Sequence, residues 1–199
     1  MVAARRIGLT GGIASGKSSV GRLLEAQGLP LLDADVYARE ALAPGSPGAG
    51  AVLERYGDRV RAPDGEIYRA ALGRIVFGDG AERRWLEQLL HPIVRASFKA
   101  KLQELAAEPV VVLVVPLLFE AGLENLCSEV WLVDCDETQQ LQRLMARDGL
   151  GEADARARIA AQWPLARKRQ LADVVLNNRG GPEQLAAEVE QTQAWIRQP

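Results

Sequence analysis

One stretch near the start, Gly11-Gly12-Ile13-Ala14-Ser15-Gly16-Lys17-Ser18, restricts the possible folds more than any other part of the chain. It follows the spacing Gly, four residues, Gly-Lys-Ser. Before it runs Ile7-Gly8-Leu9-Thr10, a short apolar run that reads as a buried strand. After it, Val20, Leu23 and Leu24 recur at helical spacing. Strand, Gly-rich loop and helix are the context in which backbone N–H groups and a helix N-terminus close around phosphate. Glycines allow the backbone to approach an anion without Cβ clashes. Lys17 brings an ammonium to the terminal phosphates, and the Ser18 hydroxyl can ligate the Mg²⁺ that accompanies a nucleoside triphosphate. The loop predicts binding of a nucleoside triphosphate through Gly11, Gly12, Ile13, Ala14, Ser15, Gly16, Lys17 and Ser18.

Further apolar runs are spaced along the chain. A helix over 17–27 leads to Gly28 and to a second strand, Leu29-Pro30-Leu31-Leu32, ending at Asp33. Val110–Val115, Val130-Trp131-Leu132-Val133 and Val174-Val175-Leu176 complete a set of five. The Val110 run is β-branched and apolar on both faces, as a central parallel strand covered by helices must be. Strands interleaved with helical patterns predict a doubly wound α/β sheet. Ligands of such sheets gather at the carboxyl ends of the strands. The residues that follow each strand are therefore the candidate site residues, among them Asp33, Pro116–Glu120, Asp134 and Asn177-Asn178.

Two regions depart from this alternation. Residues 43–107 contain no convincing strand and open with the Pro/Gly punctuator Pro44-Gly45-Ser46-Pro47-Gly48-Ala49-Gly50, which a helix cannot cross. Trp85, Leu86, Leu89 and Leu90 mark one helix, and Val94, Phe98 and Leu102 mark another. The region reads as a helical subdomain inserted into a core of 1–42 and 108–199, suited to closing over a second substrate. Residues 139–169 carry Arg143, Arg147, Arg156, Arg158, Arg167, Lys168 and Arg169, a local excess of four positive charges in a chain of net charge −2. Arg143 and Arg147 are four apart and share a helix face. The segment reads as a mobile cationic lid, hinged at Gly149-Leu150-Gly151. The last helix, 182–197, turns Leu185, Val189, Thr192 and Ile196 inward.

Composition removes several alternatives. At 199 residues and 48% hydrophobic content, the chain suits one domain or one domain carrying an insertion. Its near-neutral charge gives no argument for nucleic acid or an anionic membrane. No run approaches a membrane span, and Met1–Arg6 leads into the first strand without an apolar leader. Cys127 and Cys135 form neither a disulfide framework nor a metal site. The expectation is a cytoplasmic protein acting on small molecules, with no nucleic acid, membrane or obligate protein partner.

Phosphoryl transfer needs positioning and charge neutralisation. Lys17 supplies one charge and the lid arginines supply others. A carboxylate near an acceptor hydroxyl is offered by Asp33-Ala34-Asp35. Asp33 ends the second strand and is the candidate catalytic base, whereas Asp35 precedes a helix and also suits an N-cap. The strand ending at Val115 is followed by Pro116, not by the Asp that many P-loop enzymes place beside Mg²⁺. Asp134 reads as the cap of the helix after its strand. With Asn-Lys-x-Asp also absent, a GTP switch is disfavoured. A small-molecule kinase fits best, and a slow nucleotide-hydrolysing module remains the alternative class.

Taken together, Gly8–Ser18, Asp33-Ala34-Asp35, His91-Pro92, Pro116-Leu117-Leu118-Phe119-Glu120 and Ala172–Asn178 resemble the dephospho-CoA kinase family over roughly residues 7–196. The resemblance implies a P-loop kinase-like three-layer α/β fold with a five-stranded parallel sheet, an inserted helical substrate-binding subdomain and a helical lid. It implies ATP and dephospho-CoA as substrates, with the ribose 3′-hydroxyl as acceptor. Asp33 would be the base, with Lys17 and Arg143 or Arg147 as the other catalytic groups. Ser19 and Asn177 would join the ATP contacts, and Asp35, Arg69, His91, Leu117, Leu118 and Phe119 the acceptor contacts. Ser19 stands where Thr is common, Ala14 where Gly is frequent, and Tyr68 where Asp is common before Arg69.

Overall fold

The computed structural model describes residues 4–196, the last four by backbone alone. Residues 1–3 of the leader reading and the Ile196 side chain thus lie outside the described residues. In chain order the elements are β1 (Arg5–Gly11), α1 (Lys17–Ala26), β2 (Leu31–Asp33), α2 (Ala34–Glu40), α3 (Pro47–Tyr56), α4 (Arg69–Gly78) and α5 (Gly80–Glu104). Then come β3 (Val110–Val114), β4 (Glu129–Asp134), α6 (Glu137–Asp148), α7 (Glu152–Ala160), α8 (Leu165–Arg169), β5 (Val174–Asn177) and α9 (Pro182–Ile196). The chain forms two compact units, Met1–Leu32 with Leu102–Pro199, and Asp33–Lys101.

The first unit is built on a sheet of order β2-β3-β1-β4-β5. β1 runs parallel to β3 and to β4, and β4 runs parallel to β5. Register aligns the carboxyl ends: Leu9 lies opposite Val114 and Trp131, Gly11 opposite Val133, and Asp134 opposite Asn177. The loops after β1, β3, β4 and β5 consequently emerge at one edge. All five residues of β3 are buried, as its β-branched run predicts. Val20 and Leu24 of α1, with Leu185 and Val189 of α9, pack on Ile7, Leu9, Val112, Trp131 and Leu176. Each such burial stabilises the fold by about 1.5–3 kcal/mol. Cys127 lies under β1, and burial pushes its thiol up to about 12, so it stays protonated.

The second unit is helical and has its own core. Val52 and Tyr56 of α3, Val60, Ile67, and Leu72 and Val76 of α4 form a buried cluster on which Trp85, Leu86, Leu89 and Leu90 pack. α3 starts inside the Pro/Gly punctuator: Ser46 caps Ala49 N at 3.1 Å, and Pro47 occupies the first turn, where its missing N–H carries no penalty. The two helices expected between Trp85 and Leu102 are one. α5 continues through Pro92 for 25 residues. Proline there removes the bond that would reach the Gln88 carbonyl. The continuous apolar stripe on both sides offsets that loss, with Val94 6% and Phe98 0% exposed. Phe98 meets Tyr37 edge-on at 5.0 Å.

A polar network ties α3 to α5. Arg55 donates to both Glu82 oxygens at 2.8 and 2.9 Å, and its guanidinium lies 4.6 Å from the Trp85 ring centre. The Arg55 hydrogen bonds, then that of the Tyr56 hydroxyl, hold the Glu82 carboxyl down at about 2 from its usual 4.5. Because the native value is depressed, the stabilisation is present above pH ~4.5 and lost as pH falls toward ~2. Glu82→Gln should therefore melt below the parent at pH 7, and the gap should shrink steadily as melts are repeated down to pH ~2.5. A pH-independent gap would contradict the ion pair's role.

Candidate active site

The loop between β1 and α1 leads into a helix that begins without a side-chain cap. Gly16 sits at the N-cap of α1 with φ 106°. The helix thus begins with N–H groups directed at the loop's interior, and its dipole favours negative charge there. Lys17 is only 8% exposed; its Nζ donates to the Gly12 carbonyl at 2.7 Å and the Gly11 carbonyl at 3.2 Å. Those carbonyls keep the buried ammonium satisfied. The Ser15 hydroxyl is buried with no hydrogen-bond partner. Ser18 is exposed and Ser19 half-buried.

Three amides from distant segments hold the loop from outside. Gln140 of α6 donates to the Ile13 carbonyl at 2.8 Å, and the Gln162 side chain accepts the Ile13 N–H at 2.9 Å. Asn178 donates to the Ser15 carbonyl at 2.8 Å. A Cβ on Gly16 would stand 2.1 Å from the Asn178 amide nitrogen, and one on Gly12 would stand 2.1 Å from that of Gln140. Glycine at these two positions is thus favoured by packing, and at Gly16 by its φ of 106° as well. Asn178 is a candidate from sequence because it follows the fifth strand, but its partner is not, and Gln140 and Gln162 carry no signal, since the partners lie 127–163 residues away. Asn177, the neighbour expected at the nucleotide, accepts the Arg179 N–H through its own side chain.

Arg143 of α6 donates from Nη2 to the Asn178 carbonyl at 3.1 Å, while its Nη1 is buried without a partner. It lines a cavity of about 550 Å³ together with Gly16, Ser19, Leu23, Pro182 and Leu185. Arg22 and Asn178 also line it, so an apolar wall of Leu23, Pro182 and Leu185 faces two arginines beside the phosphate loop, a composition that suits a nucleotide. Arg147, on the same helix, instead engages Asp148 through Nε at 2.7 Å and Nη2 at 3.1 Å.

The other cations of residues 139–169 also have partners. Arg158 pairs with Asp148, Arg156 with Glu152, and Arg167 stacks on Trp163 with 3.2 Å to the ring centre. Lys168 is fully buried on Glu120 at 2.8 Å, and Arg169 holds Asp134 at 2.8 and 2.9 Å. The local excess of positive charge is therefore partly balanced by acids, some of them outside the segment, where a local charge count does not see them, while Arg143 and Arg167 meet a carbonyl and a ring. Asp134 is not a helix cap. It is 2% exposed and neutralised by Arg169 and Arg179, while Asp136 forms a capping box with Gln139 at the start of α6.

The acceptor-side residues fall in both units. Asp33 is the N-cap of α2, its Oδ1 accepting the Asp35 N–H at 2.8 Å, so the capping role expected of Asp35 belongs to Asp33. The cap also fixes the direction of the Asp33 carboxylate. Arg69 opens α4 and donates to the Arg39 carbonyl at 3.2 Å. His91 is half-buried in the middle of α5 and not at a helix start. In the first unit Leu117 is half-buried, Phe119 is 9% exposed and Leu118 is fully buried against Gly8.

No group of three or more acidic, His or Cys ligands capable of holding a metal occurs among the described residues. That donor set still suits Mg²⁺, which keeps most of its waters and takes one or two protein ligands beside substrate phosphates. Ser18, exposed in the first turn of an uncapped helix, is the hydroxyl that could serve as such a ligand.

A parallel sheet whose first strand runs into this loop, with a lysine buried inside it, defines a P-loop kinase. Comparison with known proteins makes the assignment particular. Residues 5–184 match the dephospho-CoA kinase family model, and the chain belongs to that family. A dephospho-CoA kinase of Synechococcus sp. strain CC9605 is 69% identical over 179 residues, 89% of this chain and 86% of its own. Among solved structures, protein TT1252 of Thermus thermophilus is 36% identical with a TM-score of 0.81, covering 98% of this chain and 100% of its own. The dephospho-CoA kinase of Campylobacter jejuni is 27% identical with a TM-score of 0.71, at 96% coverage of both chains.

Within the loop, Ala14 has φ 57°, a left-handed conformation that costs a non-glycine residue roughly 1–2 kcal/mol. Ala14→Gly relieves that strain but loosens the unfolded chain by about 0.4–1 kcal/mol. Its melting temperature should lie within about 4 °C of the parent, with activity retained. Ala14→Val, β-branched in the same conformation, should melt lower. The reverse order in a pair of thermal melts would refute the strained geometry.

Proposed function

We propose that this chain transfers the terminal phosphoryl group of ATP to the ribose 3′-hydroxyl of dephospho-CoA, yielding CoA and ADP. Family membership supports ATP-dependent phosphorylation of dephospho-CoA in coenzyme A biosynthesis. The observation that carries the reading is the uncapped N-terminus of α1 beside a buried lysine whose ammonium donates to loop carbonyls that a phosphate can replace. Gly11–Ser19 is the donor cradle. Lys17 leaves the Gly11 and Gly12 carbonyls for the β- and γ-phosphates and neutralises charge that develops as the β–γ bridge breaks. Ser18 would hold the Mg²⁺ that accompanies ATP, and the metal would supply further charge neutralisation there. Of the two lid arginines, Arg143 fits the phosphate role better, because one of its nitrogens lacks a partner and its neighbour cavity suits a nucleoside. Asn177 stays on the adenine side of that assignment.

The acceptor oxygen forms its bond to the γ-phosphorus as the bond to the ADP oxygen breaks, and its proton passes to Asp33. The cap that aims the Asp33 carboxylate favours it as the base over Asp35, which then lies beside the acceptor. In this reading the helical region (43–107 by sequence, Asp33–Lys101 as a compact unit) binds the acceptor, with Arg69 and His91 among its contacts. Leu117 contributes directly, while buried Leu118 and Phe119 shape the loop from beneath. Residues 139–169 act as the lid. No helix among the described residues is long and apolar enough to cross a membrane, and a cytoplasmic location suits both substrates.

ADP release with Mg-ATP and a panel of dephospho-CoA, AMP, CMP and shikimate tests the assignment. Turnover should require dephospho-CoA; turnover with another acceptor and none with dephospho-CoA would reject it. Asp33→Asn should keep ATP affinity while lowering kcat by about 10²–10⁴, the scale of a general base. A kcat within a few-fold of the parent would remove Asp33 from proton transfer.

A further inference from the structure

Lys168 is the least expected side chain of the first unit: a lysine with no exposure, on the short helix α8, within a segment otherwise carrying its charges at the surface. Its ammonium lies 2.8 Å from Glu120 Oε1 and donates to the Pro116 carbonyl at 3.1 Å. The same carbonyl accepts the Thr10 hydroxyl at 3.4 Å, one residue before the phosphate loop begins. Glu120 Oε1 also accepts the Trp163 N–H at 3.0 Å. The residue before Trp163 is Gln162, whose side chain holds the Ile13 N–H of the phosphate loop. Seven residues, 162–168, therefore touch the loop after β1 at one end and the loop after β3 at the other.

Burying such a pair is a poor way to gain stability. Desolvation of two ions offsets much of their attraction, and apolar residues of similar volume often serve as well or better. What the pair does provide is fixed geometry, because a buried charge tolerates only the position in which it is satisfied. The geometry fixed here is the placement of Pro116 against Thr10, that is, of the post-β3 loop against the strand that feeds the phosphate loop. Gln162 adds the second anchor on the phosphate loop itself.

We propose that Lys168 and Gln162 are positioning residues for phosphoryl transfer, forming a bridge that sets the phosphate loop and the Pro116–Glu120 loop at a fixed separation. This rests on the assignment of the first loop to the donor and the second to the acceptor. Neither residue touches the reacting atoms. Their effect falls on the rate of the bound complex, where a displacement of about 1 Å lowers transfer by up to roughly 10².

The test uses Lys168→Met and Gln162→Ala in the full chain, with ATP affinity measured by calorimetry without acceptor, and kcat measured per folded molecule. The acceptor is whichever one the parent enzyme turns over, so a wrong acceptor assignment shows in the parent and leaves this test intact. Each variant should bind ATP within about threefold of the parent while kcat falls at least tenfold. In the double variant the two losses should be less than multiplicative, since both act through one bridge. A kcat within twofold of the parent at equal folded fraction, whatever the melting temperature, overturns the proposal. So does a loss of ATP affinity as large as the loss of rate, which would make the residues donor contacts. If Lys168→Met does not fold, Gln162→Ala, half-buried and uncharged, is judged alone by the same two criteria.

Discussion

A buried ammonium that donates to the backbone carbonyls of its own loop organises this enzyme. Lys17 begins α1, and its side chain turns back onto the Gly11 and Gly12 carbonyls. It can do so because the loop wraps closely around it, with glycine at the points where a Cβ would collide with the amides of Gln140 and Asn178. Without that wrapping the charge would have to reach solvent, and the helix terminus would lose the cation that makes it a triphosphate site. The parallel sheet serves the same arrangement. Its register brings the ends of β1, β3, β4 and β5 to one edge, so residues more than a hundred apart in sequence brace one eight-residue loop.

Around the loop the protein keeps its charges neutral in the resting state. Asp134 is enclosed by Arg169 and Arg179, Glu120 by Lys168, and Asp148 by Arg147 and Arg158. The exposed pairs contribute little to stability, about 0–1 kcal/mol each. The buried ones define position. Arg143 is different, because one guanidinium nitrogen has no acceptor inside the protein. That unfilled nitrogen is what supports assigning Arg143, of the lid cations, to an incoming anion.

How much of this is legible in the sequence depends on the range of the interaction. The phosphate loop, its flanking strand and helix, and the fully buried β3 are written in local spacing and in β-branched runs. Asp33 is found because it ends a strand at the ligand edge. Its cap is missed because the Asp33 side chain, and not that of Asp35, reaches the Asp35 N–H, a choice that depends on backbone angles at the strand's end. Pro92 misleads for a related reason: a local rule breaks the helix there, and tertiary packing of Val94 and Phe98 overrides it. Asn178 is marked only by following a strand, and Lys168, Gln140 and Gln162 carry no local signal at all. Lys168 sits in a basic run and reads as solvated, yet its acid is Glu120, on a different loop.

The account turns on Lys17 exchanging loop carbonyls for phosphate. A crystal structure with a non-hydrolysable ATP analogue and dephospho-CoA bound together tests this most directly. It should show the β- and γ-phosphates at the start of α1, with the Lys17 ammonium on their oxygens and no longer on the Gly11 and Gly12 carbonyls. A triphosphate held elsewhere, with Lys17 still on those carbonyls, would contradict it.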